Sequence, residues 1–341
     1  MSEKLARLTV LGALEGPSLS AEELDFLSQG ETTGVILFRR NLPQHNFLDS
    51  VNLTRQLQCS DPSYKQRPMF IAIDQEGGRV SRFGSDFPNQ GPALHLAKGQ
   101  TDPAALSAIK SYGLEVGSAL RRIGININFA PVLDILSNPL NECIGDRVFG
   151  TTADSVIKRA GAFLDGLNSS ETLACLKHFP GQGDAAVDTH LGTARIDHSF
   201  ETLLNRELQP FAALVSKSPL VMVAHCIYNQ IDNKEATRSE KIIKHILQNK
   251  LNFRGLIVSD DMNMGAMPLD EQDWIQALIE SLLAGTHLLI IGRHLERWRL
   301  AVEGISREAK KSTAFYNVLE NAAKSVVKMR QKIIHSPIQS T

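Results

Sequence analysis

The chain has 341 residues and a mass of 37.5 kDa, with 43% hydrophobic and 21% charged residues. This composition allows a large buried core and excludes wholesale disorder. The 36 Lys and Arg residues against 37 Asp and Glu residues give a net charge of −1. That balance excludes the strongly basic character of a nucleic-acid-binding protein or a polybasic membrane-surface protein.

The cysteine pattern and the N-terminal sequence predict the compartment. The four cysteines, at positions 59, 143, 175 and 226, form no CxxC motif and no closely spaced zinc site. Scattered thiols favour a reducing cytosol over a disulfide framework. The segment MSEKLARLTVLGALEG has too short an apolar stretch for a secretory signal, and no run of 18 apolar residues occurs. We therefore expect a cytoplasmic protein without membrane or nucleic-acid partners.

Short apolar runs rich in β-branched residues recur along the chain and are typical of strands buried on both faces of a parallel sheet. The predicted strands are LTVLGA (8–13), GVILF (34–38), MFIAID (69–74), INFAPV (127–132), ACLKHF (174–179), LVMVAH (220–225), GLIVSD (255–260) and HLLIIG (287–292).

Segments with helical periodicity lie between these strands. SAEELDFLSQ (20–29) begins with Ser20 and has Glu23 three residues later, which is a capping-box pattern. The helix predicted over 103–124 begins on Pro103 and ends before Gly124. The other predicted helices span 154–167, 200–217, 239–250, 271–284 and 313–334.

Eight strands alternating with helices predict an α/β fold made of repeated parallel βα units. We interpret the chain as a single-domain (β/α)8 TIM-type barrel over residues 1–334, followed by a polar C-terminal tail over 335–341. A doubly wound open sheet is the alternative, but such sheets seldom need eight units.

A barrel of this kind carries its catalytic groups at the C-terminal ends of the strands and in the loops that follow. Ionisable residues stand at many of these places: Asp74, Asp134, Asp146, Arg147, Lys177, His178, His225, Asp260 and Asp261. In GLIVSDDMNMG, Asp260 or Asp261 could cap the following turn, attack an electrophilic carbon or hold a cation. Position alone does not decide between these roles.

The segment KHFPGQGDAAVDTH (177–190) brings Asp188 and His190 within two residues of each other in a bent loop. The carboxylate could orient the imidazole and favour its protonated form, which suits a general acid/base near neutral pH. The alternative is a surface loop in which the Asp makes an Asx-turn. The Lys-His pair that precedes the loop favours the functional interpretation.

Two further segments, DQEGGRVSRF (74–83) and GDRVFG (145–150), supply arginines that could bind a hydroxyl-rich or anionic ligand, although a salt-bridged loop would use the same residues. The first strand lacks an HxH motif, the chain lacks HExxH, and no GxGxxG follows a strand. We therefore expect no metal and no dinucleotide cofactor.

Taken together, DQEGGRV, GDRVFG, KHFPGQGDAAVDTH and GLIVSDDMNMG, in this order, resemble the motifs of glycoside hydrolase family 3 β-N-acetylhexosaminidases over about residues 5–300. The resemblance is closest to the compact, single-domain bacterial enzymes of peptidoglycan recycling. It implies retaining hydrolysis with Asp260 as nucleophile, His190 as general acid/base and Asp188 as its orienting partner. The residues that it implies for the −1 sugar subsite are Asp74, Arg82, Arg147, Lys177 and His178.

One residue departs from the family pattern, because Gln182 stands where KHFPGHG would have its second histidine. The resemblance implies a substrate of the GlcNAc-1,6-anhydro-MurNAc-peptide type and no cofactor. A family 3 β-glucosidase, an N-acetylglucosamine phosphorylase, a non-catalytic sugar-binding barrel and a metal-dependent barrel hydrolase are the alternatives. We expect a monomer, with a homodimer as the other possibility.

Overall fold

The computed structural model describes residues 1–185 and 192–333. Eight parallel strands among these residues close into a barrel, hydrogen-bonded in the order β1-β10-β9-β7-β5-β4-β3-β2. The strands, in chain order, are β1 (Val10–Ala13), β2 (Gly34–Leu37), β3 (Phe70–Ile73), β4 (Ile127–Asn128), β5 (Leu173–Phe179), β6 (Arg195–Ile196), β7 (Leu220–Val223), β8 (Ile227–Tyr228), β9 (Leu256–Asp261) and β10 (Leu288–Ile290). Strands β6 and β8 form a separate two-stranded sheet.

Helices surround the barrel and connect its strands. They are α1 (Ser2–Arg7), α2 (Ala21–Ser28), α3 (Ser50–Ser60), α4 (Pro103–Arg122), α5 (Ala153–Ser169), α6 (Phe200–Asn205), α7 (Leu208–Leu214), α8 (Glu271–Ala284), α9 (Leu295–Lys311) and α10 (Thr313–Arg330), with a π-helical segment at Lys241–Lys250. None of the helices in the described parts of the chain is long and apolar enough to cross a membrane.

The predicted barrel is confirmed, and the open-sheet alternative is wrong. Each of the eight predicted apolar runs overlaps one barrel strand, although β4 has only two residues in regular ladder geometry. The predicted helix over 200–217 is divided between α6 and α7, because the backbone at Arg206 leaves the helical region. Helices α1, α3 and α9 were not predicted. The predicted tail over 335–341 lies outside the described residues.

The capping box predicted for the helix over 20–29 is present at the start of α2. The Ser20 Oγ accepts a hydrogen bond from the Glu23 backbone N–H at 3.1 Å, and Glu23 Oε2 accepts one from the Ser20 N–H at 2.7 Å. Both ends of this reciprocal pair satisfy backbone donors that have no partner within the helix. Helix α4 likewise begins on Pro103, with Asp102 as its N-cap.

Two apolar clusters position the site. One lies between the strands and the surrounding helices, and the other fills the barrel interior with side chains that point inward from every barrel strand. The interior cluster also includes Val326, Met329 and Ile333, from the end of α10 and the turn after it. The C-terminal part of the chain therefore closes the amino-terminal floor of the barrel and leaves the opposite rim open.

A buried arginine fixes α10 in this place. The side chain of Arg330 is fully buried. Its Nη2 donates to Asp61 Oδ2 at 3.1 Å, and its Nη1 donates to Glu31 Oε1 at 3.3 Å. It also donates to the carbonyl oxygens of Thr32 and Pro68, just before β2 and β3, at 2.7 and 3.0 Å. The guanidinium thus neutralises two carboxylates and satisfies backbone acceptors at the barrel floor.

We expect Arg330→Met to lower the free energy of unfolding by about 3–5 kcal/mol, because Asp61 and Glu31 lose a buried counterion. Chemical denaturation monitored by circular dichroism measures this change. The matched control on the same helix is Lys324→Met, which removes an exposed pair with Glu320 at 2.7 Å and should cost less than about 0.5 kcal/mol. Equal losses in the two variants would contradict the anchoring role.

Candidate active site

A cavity of about 220 Å³ lies at the open rim, where the carboxyl ends of the barrel strands meet. The side chains that line it come from β5, β7, β9 and the loops after β3, β4 and β5. Six residues singled out from the sequence line this cavity: Asp74, Arg82, Arg147, Lys177, His178 and Asp260. Residues far apart in the chain therefore share one pocket.

Asp74 follows β3 and uses both carboxylate oxygens. Oδ1 accepts from Lys177 Nζ at 2.8 Å, and Oδ2 accepts from Arg82 Nη2 at 3.0 Å. Burial raises the pKa of Asp74, but the two cations outweigh burial and hold that pKa below its ordinary value. Asp74 is therefore ionised at neutral pH, and its lone pairs can also accept from ligand hydroxyl groups.

Glu76 belongs to the segment DQEGGRVSRF (74–83), for which only the arginines and Asp74 were predicted to bind a ligand. Its carboxylate forms a two-pronged pair with Arg147, at 2.8 and 2.9 Å, and Oε1 also accepts from Lys177 Nζ at 2.6 Å. Burial raises the pKa of Glu76, yet Arg147 and Lys177 outweigh burial and bring it far below its usual range. Against the effect of burial, Glu76 raises the pKa of Arg147, and Asp74 and Glu76 together raise the pKa of Lys177.

Lys177 and His178 are successive residues of β5, and both line the cavity. Successive side chains of a regular strand point to opposite faces. Here the register of β5 against β7 shifts between Leu176 and Phe179, and this irregularity turns both side chains to the same pocket. The His178 Nδ1 lies 2.6 Å from Asp134 Oδ2, and its Nε2 lies 3.5 Å from Arg147 Nη2.

The two adjacent aspartates at the end of β9 differ in their contacts. Asp261 Oδ1 accepts from the backbone N–H groups of Asn263 and Gly292 at 3.0 and 2.9 Å, so it holds the turn. Asp260 lines the cavity instead. The turn-capping alternative therefore describes Asp261, and of the two carboxylates it is that of Asp260 that lines the cavity.

The surroundings of Asp260 favour its ionised form. Burial raises the pKa of Asp260, but His178, His225 and the Asp261 backbone N–H together bring it below its ordinary value. For Asp261, burial outweighs the hydrogen bonds from the Gly292 and Asn263 backbone N–H groups, and its pKa is raised. His225 is itself fully buried, and it contacts Thr237 Oγ1 at 2.8 Å and the Asp261 carbonyl oxygen at 3.2 Å. His225 thus contacts the backbone at the end of β9.

The predicted dyad, Asp188 and His190, lies outside the described residues. The segment that leads to it is described, and Gln182 on this segment lines the cavity with only 3% of its surface exposed. The Gln182 backbone N–H donates to Asp134 Oδ1 at 2.8 Å, and its side-chain Oε1 accepts from Cys226 Sγ at 3.5 Å. Gln182 thus keeps a position in the wall of the pocket.

The chemistry of the donors bears on cofactors. Within residues 1–185 and 192–333, no group of three or more His, Cys, Asp or Glu side chains has a geometry that could hold a metal ion. The cavity carboxylates are instead engaged by lysine, arginine and histidine. A closed parallel barrel with a charged, hydrogen-bonding cavity at this rim is the arrangement of barrel enzymes.

Comparison with known proteins identifies the family. Residues 1–329 match the family described as the N-terminal domain of glycosyl hydrolase family 3. The chain is 36% identical over 309 residues to the β-hexosaminidase of Actinobacillus pleuropneumoniae serotype 3, covering 88% of this chain and 85% of that one. It is 35% identical over 286 residues to the β-hexosaminidase of Haemophilus influenzae strain Rd, covering 82% and 77%. The chain belongs to glycoside hydrolase family 3.

Solved structures are similar throughout the chain. NagZ from Neisseria gonorrhoeae, in complex with N-trifluoroacetyl-D-glucosamine, superposes with a TM-score of 0.74 at 27% identity, covering 93% of this chain and 98% of that one. A family 3 β-N-acetylglucosaminidase from Paenibacillus sp. FPU-7 gives a TM-score of 0.88 at 27% identity and covers 100% of this chain and 64% of that one.

Replacing Glu76 by Gln should reveal the ion-pair network through its pH dependence. The lowered pKa of Glu76 means that its stabilisation is fully present above its ordinary value of 4.5 and is lost as the pH falls toward the folded-state pKa. We expect Glu76→Gln to cost about 3–5 kcal/mol at pH 7, because Lys177 and Arg147 lose a buried counterion.

The measurement is denaturant unfolding of both proteins between pH 7 and pH 3. The difference in unfolding free energy between wild type and variant should shrink below pH 4.5, since Gln resembles protonated Glu. Glu320→Gln, on the exposed face of α10, removes only a solvent-exposed pair with Lys324 and should cost less than about 0.5 kcal/mol at every pH. A difference for Glu76→Gln that is independent of pH would contradict the network.

Proposed function

We propose that this protein is a retaining exo-β-N-acetylglucosaminidase of family 3. Three lines of support converge on a β-N-acetylhexosaminidase: family membership, relatives named β-hexosaminidase over most of the chain, and similar solved structures named as β-N-acetylglucosaminidases. The mechanism that we propose rests on one observation. The carboxylate of Asp260, whose pKa is lowered, lines the cavity beside groups that can bind hydroxyls.

In the first step, an Asp260 oxygen attacks the anomeric carbon of the N-acetylglucosamine unit. The bond from that carbon to the aglycone oxygen breaks, and protonated His190 gives its proton to the departing oxygen. In the second step, His190 takes a proton from water, the water oxygen bonds to the anomeric carbon, and Asp260 leaves as a carboxylate. A lowered pKa of Asp260 suits this role because both steps need its ionised form.

The remaining cavity residues serve to bind and orient the sugar in the −1 subsite. Asp74 offers acceptor lone pairs for hydroxyl groups, whereas Lys177 and Arg82 offer donors beside it. In the same cavity, Arg147 supplies guanidinium donors and His178 supplies a ring nitrogen. Because these groups are held by buried partners, they require little rearrangement when the sugar binds, which favours a productive orientation.

The aglycone that we propose is a 1,6-anhydro-muramyl peptide, so that the substrate is a muropeptide derived from peptidoglycan and the enzyme acts in the cytoplasm on its recycling. This follows the family resemblance of the four motifs. Asp188, which precedes His190 by two residues, is proposed to orient the imidazole by accepting a hydrogen bond from it.

The substrate proposal predicts selective hydrolysis. Purified protein at neutral pH should release p-nitrophenol from the β-N-acetylglucosaminide at least about 100-fold faster than from the β-glucoside, because the sugar site must recognise the acetamido group. A GlcNAc-1,6-anhydro-MurNAc-peptide should be cleaved, with free N-acetylglucosamine as product. Preference for the glucoside would overturn the substrate, and formation of a sugar phosphate in phosphate buffer would identify a phosphorylase.

The covalent mechanism predicts opposite behaviour for two variants. Asp260→Asn should lose at least about 10³-fold in kcat/KM, since an amide cannot attack the anomeric carbon. His190→Ala, given p-nitrophenyl N-acetylglucosaminide, should accumulate protein heavier by one N-acetylglucosaminyl group, because the p-nitrophenolate leaves without an acid while hydrolysis lacks its base.

Intact-protein mass spectrometry after rapid mixing measures the adduct. Asp260→Asn should carry none, and peptide mapping of His190→Ala should place the group on Asp260. The matched control is Asp261→Asn, which retains the acceptor of the neighbouring turn and should keep kcat/KM within about fivefold of wild type. An adduct on another residue would rule out the proposed nucleophile.

A further inference from the structure

Asp134 is a buried carboxylate that connects two parts of the site, and the sequence motifs predicted no role for it. It follows β4, and its side chain is completely buried. Oδ2 lies 2.6 Å from His178 Nδ1, while Oδ1 accepts from the Gln182 backbone N–H at 2.8 Å and, more weakly, from the His178 N–H at 3.5 Å. A carboxylate buried to this degree is stable only when hydrogen bonds replace the lost water.

These contacts determine which nitrogen of His178 carries a proton. A carboxylate can only accept, so the 2.6 Å contact requires a proton on Nδ1. The other nitrogen, Nε2, lies 3.5 Å from Arg147 Nη2, and a guanidinium can only donate. Nε2 therefore carries a lone pair, and the long contact with Arg147 leaves that lone pair available to a shorter hydrogen bond from a ligand hydroxyl in the cavity. Asp134 on one side and Arg147 on the other select the same tautomer.

The other carboxylate oxygen of Asp134, Oδ1, binds the segment that precedes His190, the proposed acid/base. Gln182 follows Gly181 and precedes the residues that end in His190. Its carbonyl oxygen also accepts from Asn141 Nδ2 at 2.9 Å, so its peptide groups are held on both sides by residues of the loop after β4. Through Asp134, the orientation of the His178 ring and the position of Gln182 are linked.

We propose that Asp134 is a positioning residue, which fixes His178 as the Nδ1-protonated tautomer so that Nε2 accepts a hydrogen bond from a sugar hydroxyl. Asp134 also anchors the backbone of Gln182, which precedes His190 in the chain. The inference rests on the proposed function for the identity of the ligand. The tautomer itself does not depend on that function, so the two can fail separately.

The direct test is nuclear magnetic resonance of the full-length protein labelled with ¹⁵N-histidine. The chain has 10 histidines, and His178 is assigned by the signal that disappears in His178→Ala. We expect a protonated Nδ1 and an unprotonated Nε2 at neutral pH in the wild type. An Nε2-protonated ring, or an imidazolium, would overturn the proposal without any assay of activity.

The variant test uses Asp134→Asn, which keeps an oxygen for the Gln182 N–H but can present an N–H₂ group to His178. The ring should then change to the Nε2-protonated tautomer, whose N–H faces the Arg147 guanidinium and no longer accepts from the sugar. We expect kcat/KM for the N-acetylglucosaminide to fall about 10-fold, which is typical for the loss of one hydrogen bond between neutral groups. Asp102→Asn, at the N-cap of α4, is the matched control and should not alter kcat/KM.

A double-mutant cycle separates positioning from a general effect on folding. If Asp134 acts through His178, Asp134→Asn should add less than about twofold to the loss in His178→Ala. Fully additive losses in kcat/KM would show that Asp134 acts independently and would overturn the proposal. Should Asp134→Asn not fold, as judged by circular dichroism, the wild-type tautomer measurement still decides the question. A wild type with the expected tautomer but no glycosidase activity would refute the proposed function alone.

Discussion

A lysine and an arginine can be buried at the rim of a barrel only if buried carboxylates neutralise their charges. Glu76 does this for both Lys177 and Arg147, because its two oxygens contact the two cations at once. The pairing continues in both directions and forms an unbroken chain of contacts around the cavity: Asp134, His178, Arg147, Glu76, Lys177, Asp74 and Arg82. Each group is restrained by its neighbours, so the cavity wall is organised before a ligand arrives. Asp260 stands next to this chain, where the Asp261 backbone N–H and the charged Lys177 favour its ionised form against the effect of burial.

The barrel makes these contacts possible between distant parts of the chain. Lys177 and Asp74 are 103 residues apart, and Arg147 and Glu76 are 71 residues apart. Because parallel strands all end at the same rim, each strand and the loop after it deliver side chains to one place. The local irregularity of β5 adds a second side chain from the same strand end. The site is therefore a property of the closed sheet, with the loops contributing arginines and the carboxylate of Glu76.

Periodicity predicted the eight strands and, through them, the rim position of Asp74, Lys177, His178 and Asp260, since the carboxyl end of a strand can be read from an apolar run. It could not separate Asp260 from Asp261, because that difference depends on which carboxylate meets the Gly292 and Asn263 backbone donors. Nor could it assign Glu76 and Asp134, whose partners come from other strands. Helix α9 was missed although Leu295, Trp298, Val302 and Ile305 recur at helical spacing and are buried where the helix packs against β1 and α1.

The closure of the floor by α10 has a consequence for the order of events during synthesis. Domains generally fold as units while the chain emerges from the ribosome, and long-range contacts must wait for their partners. The residues that complete the barrel interior from below are Val326, Met329 and Ile333, and the counterion for Asp61 and Glu31 is Arg330. The first strands of the barrel therefore leave the ribosome long before the residues that cover their lower edge, and an interior lined with apolar side chains stays open until the ribosome has passed α10. During that interval the nascent barrel presents the kind of surface that chaperones bind.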